Sequence, residues 1–367
     1  MLLTSLKSYN RSQFIKDVTA GIIVAIIALP LSIALALASG VGPEAGIFTA
    51  IVAGFVISAL GGSSVQIAGP TAAFATIVAG IVAKDGMDGL VIATILAGIF
   101  LVLMGLCHFG SLIKFIPFTI TTGFTSGIAV TIVIGQLKDF FGLTYPDGVK
   151  PIETTEKFRA VVENFSTINI DALIVGAVSL AVLIIAPYIF KRIPGSLIAV
   201  IIGILMFQFL PLKVSTIGNL YTISNSLPSF HLPAVSFEVV QNALPNAFTI
   251  AVLAAIESLL SCVVADGMIN GKHRSDMELI AQGAGNIASA LFGGIPATGA
   301  IARTAANIKN GGRTPIAGIV HSITLVIVLV VLMPYAGMIP MPTIAAILFI
   351  VAYNMCQWRT FVKLVKT

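Results

Sequence analysis

Charged residues are scarce in this chain: Asp, Glu, Lys and Arg make up 10% of its 367 residues, while hydrophobic residues make up 57%. So few charges cannot cover the surface of a water-soluble protein of this length, and the mean hydropathy is +1.05. The composition therefore predicts an all-α polytopic membrane protein. The net charge of +5 gives no reason to expect a nucleic-acid partner.

Residues that carry chemistry in enzymes are equally sparse. The three cysteines show no CxxC spacing and no neighbouring histidine, and the four histidines are scattered, with only His321 inside a predicted span. The sequence contains no HExxH, no Gly-x-Ser-x-Gly and no Walker A motif. We therefore predict no enzymatic activity, no metal site and no cofactor.

Twelve runs of apolar or small residues divide the chain. They cover 18–38, 45–60, 70–82, 89–107, 115–137, 170–190, 195–211, 244–265, 279–292, 299–310, 315–333 and 340–358. A helix that crosses a bilayer needs about 20 residues, so the runs at 70–82 and 299–310 are too short to cross alone. The pattern predicts twelve spans, two of which are interrupted.

Basic residues are distributed unequally between the loops of this arrangement. Only six of the 20 lie on the side opposite the N-terminus, namely Lys84, Lys138, Lys150, Lys157, Arg159 and Lys213. The others, apart from Arg303, lie on the N-terminal side. The positive-inside rule then predicts cytoplasmic N- and C-termini for a multi-pass protein of a cell membrane, most simply a bacterial inner membrane. In the outer 138–169 segment, we expect residues 156–165 to form a solvated loop, with an amphipathic helix as the alternative.

Two ionisable residues fall inside predicted spans. Arg303 is the one basic residue at membrane depth and Glu257 is the only acid well inside a span. A charge at the centre of a membrane helix costs from about 2.5 to more than 10 kcal/mol, so such residues face a polar cavity or a partner. Two interpretations stay open: Arg303 and Glu257 serve a binding site, or they neutralise each other as a buried ion pair.

The two short runs resemble each other. GGSSVQIAGPTAAFATIVAG at 61–80 and GGIPATGAIARTAANIKNGG at 293–312 each begin with a glycine pair, continue through an extended stretch with a proline, and end in a short helix of small residues. Discontinuous helices in matching halves indicate a transporter's binding site. We expect Pro70 in the first turn of the first half-helix. Free N–H groups at both helix N-termini, with Arg303 close to one of them, predict an anion site.

These segments resemble the SulP (sulfate permease) family. The similarity is carried by residues 255–318, AIESLLSCVVADGMINGKHRSDMELIAQGAGNIASALFGGIPATGAIARTAANIKNGGRTPIAG, by the stretch from Asp17 to Gly54, and by GPTAAF at 69–74. It extends over essentially the whole chain. The sequence looks nearest to the bacterial branch that contains a proton-coupled C4-dicarboxylate transporter.

The resemblance implies a seven-plus-seven inverted repeat with a core domain, a gate domain and an elevator-like movement. The expected parts are 1–137 (core spans 1–4 and the start of the gate), 138–243 (outer loop, gate spans 6–7 and outer connection), 244–333 (core spans 8–11) and 334–367 (gate span 12). Family members usually have fourteen spans and then a cytoplasmic STAS domain. The chain ends after about twelve, which is expected of either a fragment or a short variant.

The resemblance also assigns site residues. The substrate positions are Leu31, Ser32, Pro70, Thr71, Ala72, Ala300, Ile301, Ala302 and Arg303. Glu257 matches the acidic position that relatives use for cation coupling, and Ser261 follows one turn later. A Glu at this position favours a proton, with sodium as the alternative.

The expected function is proton-coupled uptake of a C4-dicarboxylate such as fumarate or succinate, by a homodimer if the protein is full-length. A sulfate or bicarbonate symporter or exchanger is the alternative. An anion channel and a nucleobase:cation symporter are weaker candidates, the latter because Arg303 suits an anion better than a neutral base.

Overall fold

A computed structural model describes residues 1–2, 5, 9–111, 118–146, 148, 151–190, 193–233 and 236–356. The helices described are α1 (Arg11–Ala38), α2 (Pro43–Leu60), α3 (Ala72–Leu106), α4 (Phe118–Phe141), α5 (Thr154–Glu163), α6 (Ile170–Ile189), α7 (Gly195–Phe209), α8 (Ile217–Leu220), α9 (Phe237–Ile269), α10 (Ser275–Leu291), α11 (Ile301–Lys309), α12 (Ile316–Ala336) and α13 (Met341–Cys356). The strands described are β1 (Ala68–Gly69) and β2 (Thr298–Gly299). The prediction of an all-α polytopic fold is confirmed.

Helix α3 contains two predicted spans. Gly86 interrupts it with φ 71° and ψ −171°, a conformation that glycine adopts without the steric cost of a Cβ atom. The half-helix before Gly86 and the full span after it correspond to the runs at 70–82 and 89–107. Within the described residues, six helices (α1, α2, α3, α6, α9 and α12) are long and apolar enough to cross a membrane, and α7 and α13 are shorter apolar helices.

Hydrogen bonds between segment ends show how the chain alternates in direction. They join Gln13 to Gly311 and Arg274 to Gly62 at the end where the chain begins, and His231 to Leu291 and Ile217 to Ile339 at the opposite end. We call these the near side and the far side. Successive segments therefore run in opposite directions, as the twelve predicted spans require.

Packing sorts the helices into two groups. Helix α3 packs against α9 and α10, and α12 packs against α1 and α2, which together form the core group. Helices α4, α6, α7 and α13 form the gate group, in which α13 packs against α4 and α6. Small residues allow the backbones to approach closely: a Cβ atom on Gly98 of α3 would lie 2.7 Å from the Gly283 carbonyl of α10. Whether the two groups move as separate domains with the boundaries given above stays a prediction.

Several boundaries differ from those expected, among them the starts of α3 and α9. Helix α3 begins at Ala72 with Thr71 as its N-cap, so the placement of Pro70 in the first turn was wrong. Helix α9 begins at Phe237, before the predicted start at 244, because Ser236 accepts a hydrogen bond from the Val239 N–H and caps the helix there. In the far-side segment, residues 154–163 form a helix, so the expectation of a solvated loop there was wrong and the alternative of a helix is correct.

Candidate functional site

Strands β1 and β2 pair near the middle of the core group. We call this strand pair, together with the starts of α3 and α11 that follow it, the crossing. They pair antiparallel, with Ala68 opposite Gly299 and Gly69 opposite Thr298, and the Ala300 N–H donates to the Ile67 carbonyl at 2.9 Å. Because paired antiparallel strands lead the chain in opposite directions, α3 and α11 leave the crossing toward opposite sides. Their N-termini therefore meet at the centre of the fold.

Both N-termini present backbone N–H groups without a side-chain cap. Thr71 is the N-cap of α3 and Ala300 is the N-cap of α11, and neither side chain accepts a capping hydrogen bond. Neither first turn contains an acidic residue. The first N–H groups of a helix lack partners within the helix, and the helix dipole adds partial positive charge there. This arrangement favours a bound anion.

Arg303 extends from the first turn of α11 toward the start of α3. Its side chain is 1% exposed, and Nη2 donates to the Pro70 carbonyl at 3.0 Å and to Ser32 Oγ at 3.5 Å. The absence of a side chain at Gly69 makes room for it, because a Cβ atom there would collide with Nη1. Nε and Nη1 of Arg303 have no hydrogen-bond partner among the described residues. The guanidinium thus bridges the two half-helices, and its Nε and Nη1 donors stay available for a ligand.

Glu257 lies on α9 on the other side of the crossing. Its Oε2 accepts a hydrogen bond of 2.8 Å from Thr71 Oγ1, which explains why that hydroxyl does not cap α3. Within the described part of the chain, no ion pair joins Glu257 to Arg303, since the salt bridges found there are His108–Asp276, Arg159–Glu163 and His273–Asp266. The ion-pair interpretation of these two charges is therefore wrong for this structure.

Ser261 is fully buried but its hydroxyl contact is with α11 rather than with Glu257. Its Oγ donates to Thr304 Oγ1 at 3.4 Å, and Thr304 Oγ1 accepts from the Ile67 N–H at 3.1 Å. Ser261 thus helps to hold α11 beside β1. Its expected part in ion coupling stays a prediction.

The other predicted substrate residues differ in where their side chains lie. Ile301 is 44% exposed and Ala302 is also exposed, so at these positions α11 contributes backbone rather than side chains to the crossing. Ala72 is buried at the start of α3. Ser32 contacts Arg303, whereas Leu31 lines a cavity of about 390 Å³ between α1 and the gate helices α6, α7 and α13. We call this cavity the near-side cleft.

A second cavity lies across α1 from the first. It measures about 190 Å³ and opens between the far end of α1, the half-helix of α3, and helices α4 and α5. Its polar lining includes Thr76, Gln136, Asp139 and Lys157. We call it the far-side cleft. The two clefts follow the boundary between the core and gate groups on both sides of the crossing.

Two buried acids, Glu278 and Asp17, were not identified by the sequence analysis. Glu278 of α10 is 0% exposed, and its carboxylate accepts hydrogen bonds from the Gly62 N–H (2.9 Å), the Ser63 N–H (3.1 Å), Gln66 Nε2 (2.8 Å) and Gln282 Nε2 (2.9 Å). It holds the loop that leads into β1. Its position just before the apolar run at 279–292 placed it in a loop. Asp17 is likewise fully buried, whereas Glu257 is only partly buried, so burial alone does not single out Glu257.

The described residues contain no group of three or more His, Cys, Asp or Glu side chains that could hold a metal ion. The donors that converge at the crossing are N–H groups and a guanidinium, which bind anions. The site is therefore suited to an anion.

Comparisons with known proteins agree with this geometry. The Sulfate permease family matches residues 14–367. The chain is 42% identical over 366 residues to "Putative sulfate transporter YvdB" of Bacillus subtilis (strain 168), covering 98% of this chain and 68% of that protein. It is 33% identical to "Bicarbonate transporter BicA" of Picosynechococcus sp., covering 95% of this chain and 62% of that protein.

Solved structures show the same fold. The transmembrane domain of a cyanobacterium bicarbonate transporter BicA superposes with a TM-score of 0.87 at 28% identity, covering 95% of this chain and 90% of that one. The structure of SLC26A9 superposes with a TM-score of 0.86 at 21% identity, covering 97% of this chain and 60% of that one, which is a likeness of fold.

Proposed function

The chain belongs to the sulfate permease family, and from that membership we propose that it transports a small inorganic oxyanion across a membrane by secondary active transport. The observation that carries the proposal is Arg303, a buried guanidinium with unpaired donors that lies between two uncapped helix N-termini. The family is one of permeases, and the chain is not an enzyme.

Sulfate and bicarbonate are the favoured substrates. The relatives named above are described as sulfate or bicarbonate transporters, and either anion can accept several N–H hydrogen bonds at once. A C4-dicarboxylate, which the sequence resemblance favoured, ranks behind them, because none of those relatives is described as a dicarboxylate transporter. One carboxylate of fumarate or succinate would still suit the donors at the crossing, so the dicarboxylates belong in the test.

Coupling is proposed to involve Glu257. Thr71 Oγ1 donates to its carboxylate, and Thr71 directly follows Pro70, whose carbonyl holds Arg303. An anion that binds the guanidinium would therefore act on Pro70, and Pro70 is the neighbour of Thr71, which donates to Glu257. We propose that Glu257 binds a proton, with sodium as the alternative, when the anion is bound. The near-side and far-side clefts would then open alternately as the core group shifts against the gate group.

The proposed setting is a cell membrane, with the near side cytoplasmic. The support is the excess of Lys and Arg in the near-side segments, which matches the positive-inside rule. A bacterial plasma membrane and a homodimer are proposed from the kinship with bacterial relatives.

Uptake into proteoliposomes tests the proposal. Labelled sulfate, bicarbonate, fumarate and succinate are supplied with and without an imposed proton or sodium gradient. We expect saturable accumulation of sulfate or bicarbonate that requires one of the gradients. Arg303→Gln should abolish it, whereas Arg159→Gln, which removes an exposed arginine paired with Glu163, should not.

Each alternative predicts a different result. Passive conductance without accumulation would identify an anion channel, and uptake of a neutral nucleobase would refute the anion site. Accumulation of fumarate or succinate alone would restore the dicarboxylate assignment. If Glu257→Gln still accumulates the anion in response to the gradient, Glu257 has no part in coupling.

A further inference from the structure

A second buried polar group lies close to Arg303. His321 of α12 is 0% exposed, and neither Nδ1 nor Nε2 of its ring has a hydrogen-bond partner among the described residues. Arg303 Nε and Nη1 are likewise buried and unpaired among the described residues. Four unpaired buried nitrogen atoms in one region are unusual, because nearly all such groups in folded proteins have a partner.

The two side chains approach the same face of α2. A Cβ atom at Gly54 would lie 4.0 Å from His321 Cδ2 and 3.3 Å from the Ala68 carbonyl. A Cβ atom at Gly69, which would collide with Arg303 Nη1, would lie 3.6 Å from Ala50 Cα. Ala50 and Gly54 are one turn apart on α2, a rise of about 5–6 Å. The two side chains therefore approach α2 at adjacent turns. One water molecule can accept a hydrogen bond from one polar group and donate to another that lies beyond direct contact.

We propose that His321 is a positioning residue for Arg303 and that it acts through buried water. The water accepts from Nη1 or Nε of the guanidinium and donates to the unprotonated nitrogen of the imidazole. This link holds the guanidinium against the Pro70 carbonyl and keeps it directed at the start of α3. The polar lining and the unmet donors are the conditions under which a buried site holds water rather than staying empty.

The idea that His321 only fills space makes different predictions. A space-filling histidine would be replaced by phenylalanine without effect on Arg303. A positioning histidine would not, because phenylalanine retains the ring but removes both nitrogen atoms. Glutamine is the conservative variant, since its amide can accept from the same water.

A double-mutant cycle tests the proposal in the purified protein. His321→Phe, His321→Gln, Arg303→Gln and the His321→Phe/Arg303→Gln double variant are compared by the thermal shift that sodium sulfate or sodium bicarbonate produces at fixed ionic strength. We expect His321→Phe to weaken anion binding about tenfold, and His321→Gln to stay within about threefold of wild type. In the Arg303→Gln background, His321→Phe should add no further loss.

A control variant lies next to His321 on α12. Ser322 is 2% exposed, and its hydroxyl donates to the Ala50 carbonyl at 3.4 Å and to the Gly318 carbonyl at 3.2 Å. Ser322→Ala perturbs the same α2–α12 contact without removing a group near the guanidinium. We expect it to leave anion binding unchanged. If His321→Phe does not fold, His321→Leu takes its place in the cycle.

A second readout separates this inference from the proposed function, on which only the anion measurement rests. The same cycle is measured as thermal unfolding without any anion, where the water link predicts non-additive shifts for His321→Phe and Arg303→Gln. Additive shifts, or anion binding by His321→Phe equal to that of wild type, would overturn the inference. Absence of anion binding in the wild type would overturn the proposed function alone.

Discussion

Gly69 provides the most direct test of how Arg303 is held. In Gly69→Ala, the new methyl group would collide with Arg303 Nη1, and on its other side it would meet Ala50 Cα at 3.6 Å. The α2 backbone leaves no room there, so the guanidinium has to move. Nη2 is 3.0 Å from the Pro70 carbonyl, so a shift of about 0.5 Å or more brings that contact to the limit of a hydrogen bond.

The expected magnitude follows from the bond that is lost. A hydrogen bond from a charged donor contributes about 1.5–3 kcal/mol. If anion binding needs the guanidinium in its present place, losing this bond weakens the affinity by about 10- to 150-fold, at about 1.4 kcal/mol per factor of ten. Overpacking a tight site should also destabilise the fold by about 1–3 kcal/mol.

The assay is the concentration dependence of proteoliposome uptake, together with anion-induced thermal stabilisation of the purified protein. Gly80→Ala is the matched control, because Gly80 lies in the same half-helix and a Cβ atom there meets nothing among the described residues within 4 Å. We expect the control to bind as wild type does and to gain about 0.5–1 kcal/mol of stability. A folded Gly69→Ala protein with wild-type anion affinity would refute the assigned role of the Arg303–Pro70 contact.

Three further variants are predicted. Thr71→Val removes the hydroxyl that donates to Glu257 and should reduce gradient-driven accumulation more than it changes the KM for the anion, and equal effects on both would count against a coupling role. Glu278→Gln places an amide opposite two backbone N–H donors and should lower the free energy of unfolding by about 1–3 kcal/mol. The control is Glu163→Gln on the exposed face of α5, which should change the free energy of unfolding by less than about 0.5 kcal/mol. Burial lowers the pKa of Lys157 in the far-side cleft, so its charge is lost as pH rises through that lowered pKa. In the wild type, the KM for the anion at low ionic strength should therefore rise at alkaline pH. In Lys157→Gln, the KM should be high and depend less on pH. A wild-type KM in this variant would show that the charge in the cleft does not attract the anion.

Much of the fold could be predicted because membrane spans follow from long apolar runs. The two half-helices were also predictable, since a glycine pair, an extended stretch and a short helix recur at 61–80 and 293–312. Arg303 was recognisable as the one basic residue at membrane depth. These signals are local, so a single sequence reveals them.

The partners of these residues were not predictable. Arg303 donates to the carbonyl of Pro70, and a backbone carbonyl leaves no trace in residue type. Thr71 and Glu257 are 186 positions apart, so only the fold shows that the hydroxyl bonds the carboxylate. Glu278 was misplaced because α10 begins at Ser275, before its apolar run, and the buried end of a helix need not be apolar when it accepts hydrogen bonds from a loop.

Two polar contacts at the crossing connect one half of the chain with the other. Arg303 of the second half bonds Pro70 of the first, and Thr71 of the first half bonds Glu257 of the second. Pro70 and Thr71 are neighbours in sequence, so a displacement of one moves the other through a single peptide unit, which is planar and stiff. In the proposed mechanism, an anion that pulls the guanidinium away from the Pro70 carbonyl would therefore disturb the hydrogen bond on Glu257. Coupling between the anion and the carboxylate consequently needs no direct contact between Arg303 and Glu257, which is why the missing ion pair is consistent with a transporter that links the two.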